Sequence, residues 1–303
     1  MQPPRTSGKS TSAWLPGCKR PWNRSRRPSC ANFLRRSDGI RFTSAGADKL
    51  AYYVSQTIKL YYRGGSVGIT VADAQRVLNG RNYFAMMMVE AGDADGVIAG
   101  LRAYYPATIK PALQIIKTRP GVKNVSGAYL LMFKGKMIIL ADTTVIIEPT
   151  AEQLAEIAIL TAETARRFNL EPRIAMISFS NFGSTKHPQA EKVAEAVAIV
   201  KRLRPELIIE GEMQADAAVE PHIASADYPW SKIQGDANVL IFPNLDSANA
   251  AYKLLWRLGG AEVIGPILQG MAKPVHVLQR GVDVSDIVNM AAIAVVDAQD
   301  AHS

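Results

Sequence analysis

The hydrophobic and polar positions of this chain follow two alternating patterns from about residue 44 onwards. Short apolar runs of strand length, such as 173–180 (RIAMISFS) and 207–213 (LIIEGEM), precede segments such as 189–203, in which apolar residues recur every three or four positions. The first pattern is typical of buried strands and the second of amphipathic helices. Strands that alternate with helices predict parallel βαβ units and an α/β fold with a doubly wound sheet.

Two segments depart from this simple alternation. Residues 126–142 (SGAYLLMFKGKMIILAD) contain two apolar runs around a Lys-Gly-Lys turn centred on Gly135. A glycine at such a position favours a tight turn, so the segment predicts a β-hairpin. A long helix is predicted over 149–168, because Pro149 suits the start of a helix and the following residues have helical spacing.

Residues 1–43 follow neither pattern and are predicted to form a basic, disordered leader rich in Ser and Pro. Residues 1–41 hold ten Lys or Arg and one acid, Asp38, which makes +9, so the rest of a chain of net charge +8 carries −1. A transit peptide and a vector-derived or mistranslated leader both fit this composition. Because the positive charge is confined to the leader, we expect no nucleic-acid partner.

Composition argues against several other classes of protein. The sequence has no window of 18 uninterrupted apolar residues, so no membrane span is expected. Both cysteines, Cys18 and Cys30, lie in the leader. The body therefore lacks a disulfide, which fits a cytoplasmic protein. The four histidines are scattered without the spacing of metal ligands, so no metal site is expected.

Two loops that follow predicted strands carry polar residues suited to binding an anion. Loop 178–188 (SFSNFGSTKHP) opens a helix, and backbone N–H groups at a helix N-terminus attract phosphate. A plain N-cap of Ser or Thr with a flexible glycine is the alternative explanation. The turn after 237–243 repeats the arrangement and begins with Asn244. The candidate ligands in the first loop are Ser180, Gly183, Ser184, Thr185 and Lys186.

A third junction of this kind lies in residues 273–290 (KPVHVLQRGVDVSDIVNM). Its apolar strand ends in Gln279 and Arg280, and Asp286 falls in the first turn of the predicted last helix. Proteins of the α/β class bind their ligands at such strand–loop–helix junctions. From the residues alone, the junction is compatible with catalysis and with binding only.

These segments, taken in order, resemble the phosphate acetyl/butyryl transferase family. The resemblance extends upstream to about residue 63 and implies two subdomains arranged as in isocitrate and isopropylmalate dehydrogenases, with a cleft between them. It also implies a homodimer or larger oligomer. The implied ligands or substrates are CoA or acetyl-CoA with phosphate or acetyl phosphate, and no cofactor is tightly bound. The motifs that carry the resemblance are SFSNFGSTKHP, EGEMQADAAV, GDANVLIFPNLDSANAAYKL, RLGGAEVIGPILQGMAKPVHVLQRG and SDIVNMAAIAVVDAQ.

The resemblance implies chemical roles for particular positions. In such enzymes the thiol of CoA attacks acetyl phosphate, an aspartate acts as base on the thiol, arginines bind the phosphates, and a serine before one arginine stabilises the transition state. The base falls on Asp286, and two arginines fall on Arg280 and Arg257. The cleft is expected to include the candidate loop residues named above and also Tyr105, Lys110, Asn244 and Gln279.

Two positions depart from the family pattern. Gln279 stands where the family has the serine, and Lys110 stands where it has a third arginine. Lysine keeps the charge but loses the bidentate fork for phosphate. Loss of one donor to a developing oxyanion typically costs about 10²–10³ in rate. The sequence therefore predicts that binding of CoA phosphates is retained better than turnover.

Three segments, SNFGST, MAKPVHVLQRG and NMAAIAVVDAQ, are more specifically similar to the C-terminal domain of bacterial NADP-dependent malic enzymes. That domain is generally taken as a regulatory and oligomerising module that senses acetyl-CoA. The similarity predicts an acetyl-CoA-binding domain with little transferase activity. An active phosphate acetyltransferase and a solely structural oligomerisation module are the alternatives. In those malic enzymes an oxidoreductase part, a malate dehydrogenase, precedes this domain. No dinucleotide-binding motif of such a part is recognisable before residue 63.

We expect the phosphotransacetylase-like domain to occupy residues 44–303. Subdomain one is predicted at about 44–148 plus 285–303, and subdomain two at about 149–284. The family's first subdomain begins with additional βα units that are not recognisable in residues 1–62. Part of one wall of the cleft is therefore expected to be missing, or to be replaced by the helix predicted around 47–62.

Overall fold

The computed structural model describes residues 33–36, 39–42, 52–56, 70–101, 104–279 and 281–300. The chain divides into two units, Met1–Ala47 and Asp48–Ser303. In the first unit, strands β1 (Phe33–Arg36) and β2 (Gly39–Phe42) pair antiparallel. Both strands fall in the segment predicted to be a disordered leader, and the rest of that segment lies outside the described residues.

The second unit is built around a mixed sheet of six strands. These are β4 (Ser126–Phe133), β5 (Lys136–Ala141), β6 (Arg173–Ile177), β7 (Ile208–Met213), β8 (Val239–Ile241) and β9 (Glu262–Gln269). Their order is β7-β6-β8-β5-β4-β9. The first four are parallel to one another, and β4 pairs antiparallel with both neighbours. The predicted α/β fold is confirmed.

Strands β4 and β5 form the hairpin that the sequence predicts. Phe133 pairs with Lys136, which leaves a two-residue turn between the strands. Gly135 in this turn has a φ of 78°, in the left-handed region that glycine adopts at little cost. The turn residue and the register therefore agree with the sequence pattern.

Helices cover both faces of this sheet. On one face lie α5 (Ala151–Arg167), which matches the predicted long helix, and α6 (Pro188–Leu203). On the other face lie the short helices α7 (Ala215–Val219) and α8 (Pro221–Asp227) and the longer α9 (Leu245–Arg257). The sheet is therefore doubly wound, as predicted.

Alternating side chains of the strands supply both cores. In β4, Leu130 belongs to the core under α5 and α6, whereas its neighbours Tyr129 and Leu131 belong to the core under α9. In β5, Ile139 belongs to the core under α5 and α6, and Leu140 belongs to the core under α9. Successive residues of a strand point to opposite faces, so a continuous apolar run is what a sheet covered on both sides requires.

A smaller sheet pairs β3 (Val97–Gly100) with β10 (Val275–Leu278) in parallel. Helices α4 (Tyr105–Ile115) and α10 (Val284–Asp300) contact β10. No helix among the described residues is both long and apolar enough to cross a membrane. The remaining helices are α1 (52–56), α2 (Val71–Leu78) and α3 (Arg81–Glu90).

Strand pairing divides the second unit differently from the predicted subdomains. The predicted boundary between residues 148 and 149 separates β5 from β8, but these strands pair in parallel, with Ile139 beside Val239. The hairpin of β4 and β5 therefore belongs to the sheet of the predicted second subdomain. Apolar periodicity identifies a strand but does not specify its distant partner, which explains the difference.

The sequence pattern predicts no strand over residues 262–269, where the structure has β9 at the edge of the large sheet. The segment contains Gly265 and Pro266, two residue types that weaken a strand prediction. Proline lacks a backbone N–H and is tolerated on edge strands. The edge position, which the local sequence does not reveal, makes this strand possible.

Candidate active site

The junction between β10 and α10 carries two of the predicted site residues. Gln279 directly follows β10, and Asp286 lies in the first turn of α10. Asp283 caps this helix: its Oδ1 accepts the backbone N–H of Asp286 at 3.2 Å, while Asp286 Oδ2 accepts the backbone N–H of Asp283 at 3.1 Å. This reciprocal pair holds the Asp286 carboxylate at the positive end of the helix dipole. Arg280, a predicted phosphate ligand, lies outside the described residues.

Gln279 contacts a buried pair of tyrosines. Its Nε2 donates to the hydroxyl of Tyr252 at 3.3 Å. The Tyr252 ring is fully buried and stacks on Tyr129, with ring centroids 4.1 Å apart and 17° between the ring planes. Tyr252 belongs to α9 and Tyr129 to β4, so three separate elements meet at the end of β10. A serine at position 279 would be too short to reach Tyr252.

The hydroxyl of Tyr129 is buried and makes no hydrogen bond to any described residue. Burial raises the pKa of this phenol, and Tyr252, Tyr105 and the carboxylate of Asp286 raise it further. Tyr129 is therefore a neutral hydrogen-bond donor at physiological pH. A buried polar group without a partner costs about 1–3 kcal/mol. Such a group marks a position where a ligand can supply the missing acceptor.

Tyr105 and Thr144 add two more buried hydroxyls without a hydrogen bond among the described residues. Burial raises the pKa of Tyr105 to about 12; the nearby Thr144 hydroxyl lowers it and the Asp142 carboxylate raises it. Tyr105 in turn raises the pKa of Tyr129, so each of the three hydroxyls is within electrostatic reach of the next. We call Tyr105, Tyr129 and Thr144 the hydroxyl cluster.

Asp142 organises the backbone next to the hydroxyl cluster. Its carboxylate accepts four backbone N–H groups, from Gly127 at 3.0 Å, Thr144 at 2.9 Å, Val145 at 3.2 Å and Ile146 at 2.8 Å. Burial raises the pKa of Asp142, and these hydrogen bonds oppose that effect. A Cβ built on Gly127 would lie 1.7 Å from Thr144 Oγ1. Glycine is therefore required for the loop after β5 to pack directly on β4.

The predicted anion-binding loop after β6 is filled by a carboxylate of the protein itself. Ser180 Oγ donates to Glu212 Oε1 at 2.9 Å, and the backbone N–H of Gly183 donates to the same oxygen at 2.7 Å. Glu212 belongs to β7 and is buried. A phosphate would have to displace this carboxylate to use the same donors. The predicted ligand role of Ser180 and Gly183 stays a prediction with that condition attached.

The other predicted ligands of this loop bond within the loop or face solvent. Ser184 Oγ lies 3.2 Å from Ser180 Oγ, and the backbone N–H of Thr185 donates to Ser180 Oγ at 3.1 Å. Lys186 is exposed. The helix that follows is capped by His187, whose Nδ1 accepts a backbone N–H two residues on. The helix is therefore capped by histidine and not by the Ser or Thr of the alternative explanation.

Three more predicted residues lie on helices. Asn244 is the N-cap of α9, and its Oδ1 accepts the backbone N–H of Ser247 at 3.0 Å. Arg257 ends the same helix, is exposed, and places its guanidinium carbon 3.5 Å from the ring centroid of Trp256. Lys110 is exposed on α4. Among the described residues, no hydrogen bond or ion pair joins these three to the β10–α10 loop. Their binding roles stay predictions.

Sequence reasoning missed most of the residues that surround Gln279. Tyr129 and Tyr252 stand in apolar segments, where a tyrosine fits the periodic pattern and gives no separate signal. Asp142 and Thr144 are different, because they directly follow the apolar run of β5. Polar residues at the carboxyl end of a strand are the signal that would have found them. The described residues contain no group of three or more side chains that could hold a metal ion.

A family model described as Phosphate acetyl/butaryl transferase matches residues 36–295, and the chain belongs to this family. The phosphate acetyltransferase of Bacillus subtilis is 46% identical over 229 residues, which cover 76% of this chain and 71% of that protein. The phosphate acetyltransferase of Nitratidesulfovibrio vulgaris is 46% identical over 232 residues, 77% of this chain. Here the chain spans only 33% of the relative's length.

A solved structure gives the same result. A phosphotransacetylase from Streptococcus pyogenes superposes with a TM-score of 0.79 at 43% identity, covering 83% of this chain and 76% of that one. The predicted family and fold are therefore confirmed. Both named relatives are phosphate acetyltransferases, so they do not support the finer similarity to a malic enzyme domain.

Proposed function

We propose that this chain is a phosphate acetyltransferase, which moves an acetyl group between CoA and phosphate. The observation that carries the proposal is the placement of the Asp286 carboxylate in the first turn of α10, where it accepts the backbone N–H of Asp283. From there its charge raises the pKa of the buried Tyr129 phenol. A base beside neutral hydrogen-bond donors is what acyl transfer to a thiol needs. The 46% identity to the Bacillus subtilis phosphate acetyltransferase supports the same reaction.

In the direction of acetyl-CoA synthesis, Asp286 takes the proton of the CoA thiol. The sulfur then forms a bond to the carbonyl carbon of acetyl phosphate, and the carbonyl π electrons move to the oxygen. When the carbonyl re-forms, the bond from carbon to the phosphate oxygen breaks and phosphate leaves with the electron pair. A free thiol has a pKa near 8.5, so a base is needed to raise the thiolate fraction at neutral pH.

The developing negative charge on the carbonyl oxygen needs donors in place before the reaction. The family's serine is absent, but the amide nitrogen of Gln279 carries two hydrogens and uses one on Tyr252. The phenol of Tyr105, with its pKa raised to about 12, keeps its proton at neutral pH. These groups give the site donors that do not depend on a serine, which favours retained turnover.

A second candidate is an acetyl-CoA-binding, regulatory and oligomerising domain of the malic enzyme type, with little turnover. The observation that favours it is Gln279 itself, because it replaces the family's serine and its side-chain amide already donates to Tyr252. The named relatives do not favour it, since they are phosphate acetyltransferases. We therefore place it second.

Both candidates share the same ligands and surroundings. We propose CoA or acetyl-CoA together with phosphate or acetyl phosphate as ligands, with no tightly bound cofactor. We also propose a homodimer or larger assembly, located in the cytoplasm. Arg280 and Arg257 are the proposed phosphate partners, because a guanidinium matches phosphate geometry in a bidentate contact.

A transferase assay on the full chain tests the proposal. Acetyl phosphate and CoA are supplied, thioester formation is followed by ultraviolet absorbance, and Asp286→Asn serves as the variant that keeps the side-chain size and removes the base. We expect turnover by the wild type and a loss of at least about 10²-fold in Asp286→Asn, the usual contribution of a general base. Gln279→Ser is measured in parallel.

Each result has a definite meaning. A folded wild-type chain that binds acetyl-CoA saturably in calorimetry but shows no turnover would overturn the first candidate in favour of the second. Turnover that survives Asp286→Asn would remove Asp286 from the role of base. A gain in kcat for Gln279→Ser would identify the glutamine as the cause of slow transfer, whereas a loss would identify its amide as a working donor.

A further inference from the structure

His276 lies on β10, three residues before Gln279, and is fully buried. Its Nε2 is 3.0 Å from Asp297 Oδ2, in the last turns of α10. An ionised carboxylate only accepts hydrogen bonds, so the imidazole donates through Nε2. The other oxygen of Asp297, Oδ1, accepts from Arg167 of α5 at 3.0 Å. One carboxylate therefore joins a strand and two helices. We call His276, Asp297 and Arg167 the α10 clamp.

The α10 clamp and the candidate base lie on the same face of α10. Asp286 and Asp297 are eleven residues apart, which at about 100° per residue is three turns and about 20°. Met290, between them, is buried against Ile267 and Leu278 in the core formed by β9, β10 and α10. The face that begins with Asp286 and ends with Asp297 is thus the face turned towards β10.

Apolar packing of this helix rests on one buried side chain, Met290, and on two partly buried ones, Ile287 and Ile293. Although α10 has 17 residues, Met290 is its one buried side chain, and Val284, Val288 and Val295 are 75%, 60% and 57% exposed. A helix with so little buried surface has few contacts that resist rotation about its axis. The polar contacts of the α10 clamp are directional and depend on that rotation.

The orientation of His276 shows that the contact to Asp297 determines its position. Nδ1 of the ring is buried and has no hydrogen-bond partner among the described residues. A ring needed only for packing would be served by an apolar side chain, because an unpaired buried nitrogen is unfavourable. The ring is held so that Nε2 reaches the carboxylate even though Nδ1 is left unpaired.

We propose that His276 and Asp297 are positioning residues for Asp286. By tying the far end of α10 to β10, the strand directly followed by Gln279, they keep the carboxylate of Asp286 in a fixed position relative to Gln279. The inference rests on the proposed function, because it concerns the base of that reaction. The clamp acts over about 16 Å of helix, so it acts through the helix as a rigid body. A displacement of about 1 Å in a reacting group can cost about 10²-fold in rate.

The test uses the full chain with three variants and one control. His276→Leu removes the donor, Asp297→Asn removes the charge, and His276→Gln keeps an amide donor close to the position of Nε2. Arg166→Gln is the control, because Arg166 is also at the end of α5 but pairs with Glu171 at 3.8 Å instead. The readouts are kcat and KM for CoA and acetyl phosphate, and hydrogen exchange of the backbone amides of residues 283–287.

For His276→Leu and Asp297→Asn we expect kcat to fall by about 10- to 100-fold, with KM for CoA changed by less than about 2-fold. Amides 283–287 should exchange faster, while amides in β6 and β8 keep their protection. His276→Gln should retain kcat within about 3-fold of wild type, because it restores the hydrogen bond. Arg166→Gln should match wild type in every readout.

Several outcomes would overturn the inference. A change in KM alone, an equal kcat in all variants, or faster exchange throughout the chain would each leave the clamp with a merely structural role. If His276→Leu fails to fold, Asp297→Asn decides, since that side chain is partly exposed. If the wild type shows no acyl transfer, the proposed function fails, and the positioning role is then tested by hydrogen exchange alone. Equal exchange rates of amides 283–287 in wild type and Asp297→Asn would refute the positioning role.

Discussion

Tyr129 illustrates a residue that serves the candidate site at a cost in stability. It is 3% exposed, its ring stacks on Tyr252, and its hydroxyl has no hydrogen-bond partner among the described residues. Phenylalanine would make the same stack without the unpaired oxygen. The hydroxyl is therefore explained better by a ligand than by packing. Proteins commonly carry strained or unpaired groups of this kind where binding needs them.

The variant Tyr129→Phe should separate these two effects. We expect the free energy of unfolding to rise by about 1 kcal/mol, because an unpaired buried hydroxyl is removed. We expect kcat for acetyl transfer to fall by about 10-fold, because one donor is lost. Thermal unfolding and the transferase assay measure the two quantities. Tyr252→Phe is the matched control, since that hydroxyl has a partner in Gln279 and its loss should not raise stability. A less stable Tyr129→Phe protein would contradict the prediction.

At the scale of secondary-structure elements, the contact between β4 and the loop after β5 sets the position of the hydroxyl cluster. Asp142 accepts four backbone N–H groups of this region, and Thr143 Oγ1 donates to the carbonyl oxygen of Gly127 at 2.9 Å. The absent side chain of Gly127 is what leaves room for Thr144. The backbone of one strand is therefore directly adjacent to the loop that carries a candidate donor.

We predict that Gly127→Ala destabilises the protein by about 1–3 kcal/mol, since the new methyl group overlaps Thr144 Oγ1. The double variant Gly127→Ala with Thr144→Ala should recover at least about half of that loss, because the clashing oxygen is gone. Chemical denaturation gives the free energy of unfolding of the wild type, both single variants and the double variant, which together form a double-mutant cycle. Equal losses with and without Thr144 would show that the two positions are not coupled.

Some features of the secondary-structure elements can be predicted from the local sequence, and others cannot. The hairpin turn at Gly135 and the start of α5 after Thr150 follow from turn and capping chemistry, which acts between near neighbours. The hydrogen bond from Gln279 to Tyr252 and the filling of loop 178–188 by Glu212 join residues far apart in sequence. No local spacing predicts such contacts, which is why the sequence of the loop indicates an anion site and gives no sign of Glu212.

At the scale of the whole molecule, the binding of CoA esters is the property that the proposed functions share. A ligand that binds only the folded protein adds about 2.7 kcal/mol at 100 times its dissociation constant. A purely structural module that does not bind the CoA ester would gain no stability from it. The body of the chain carries a net charge of about −1 outside the leader, so binding of an anionic CoA ester depends on local cations rather than on the overall field.

We therefore expect acetyl-CoA to raise the melting temperature of the full chain in a saturable manner, followed by differential scanning fluorimetry. Arg280→Ala should abolish most of that rise, because the proposed phosphate contact is removed. Arg166→Gln, at the same change in net charge, should keep it. A rise that is identical in Arg280→Ala and wild type would take Arg280 out of the binding site, and no rise in wild type would leave only the oligomerisation module.

The amino-acid sequence alone specifies the α/β class, the hairpin, most helices and the family, because periodicity, turn chemistry and ordered motifs are local properties of the chain. It also placed Asp286 at a helix start, which the structure bears out through the contact with Asp283. The folded structure was needed to show which sheet β4 and β5 join, which tyrosines surround Gln279, and how Asp297 connects α10 to β10. Those outcomes depend on packing between distant segments, where many pairings are compatible with the same local pattern.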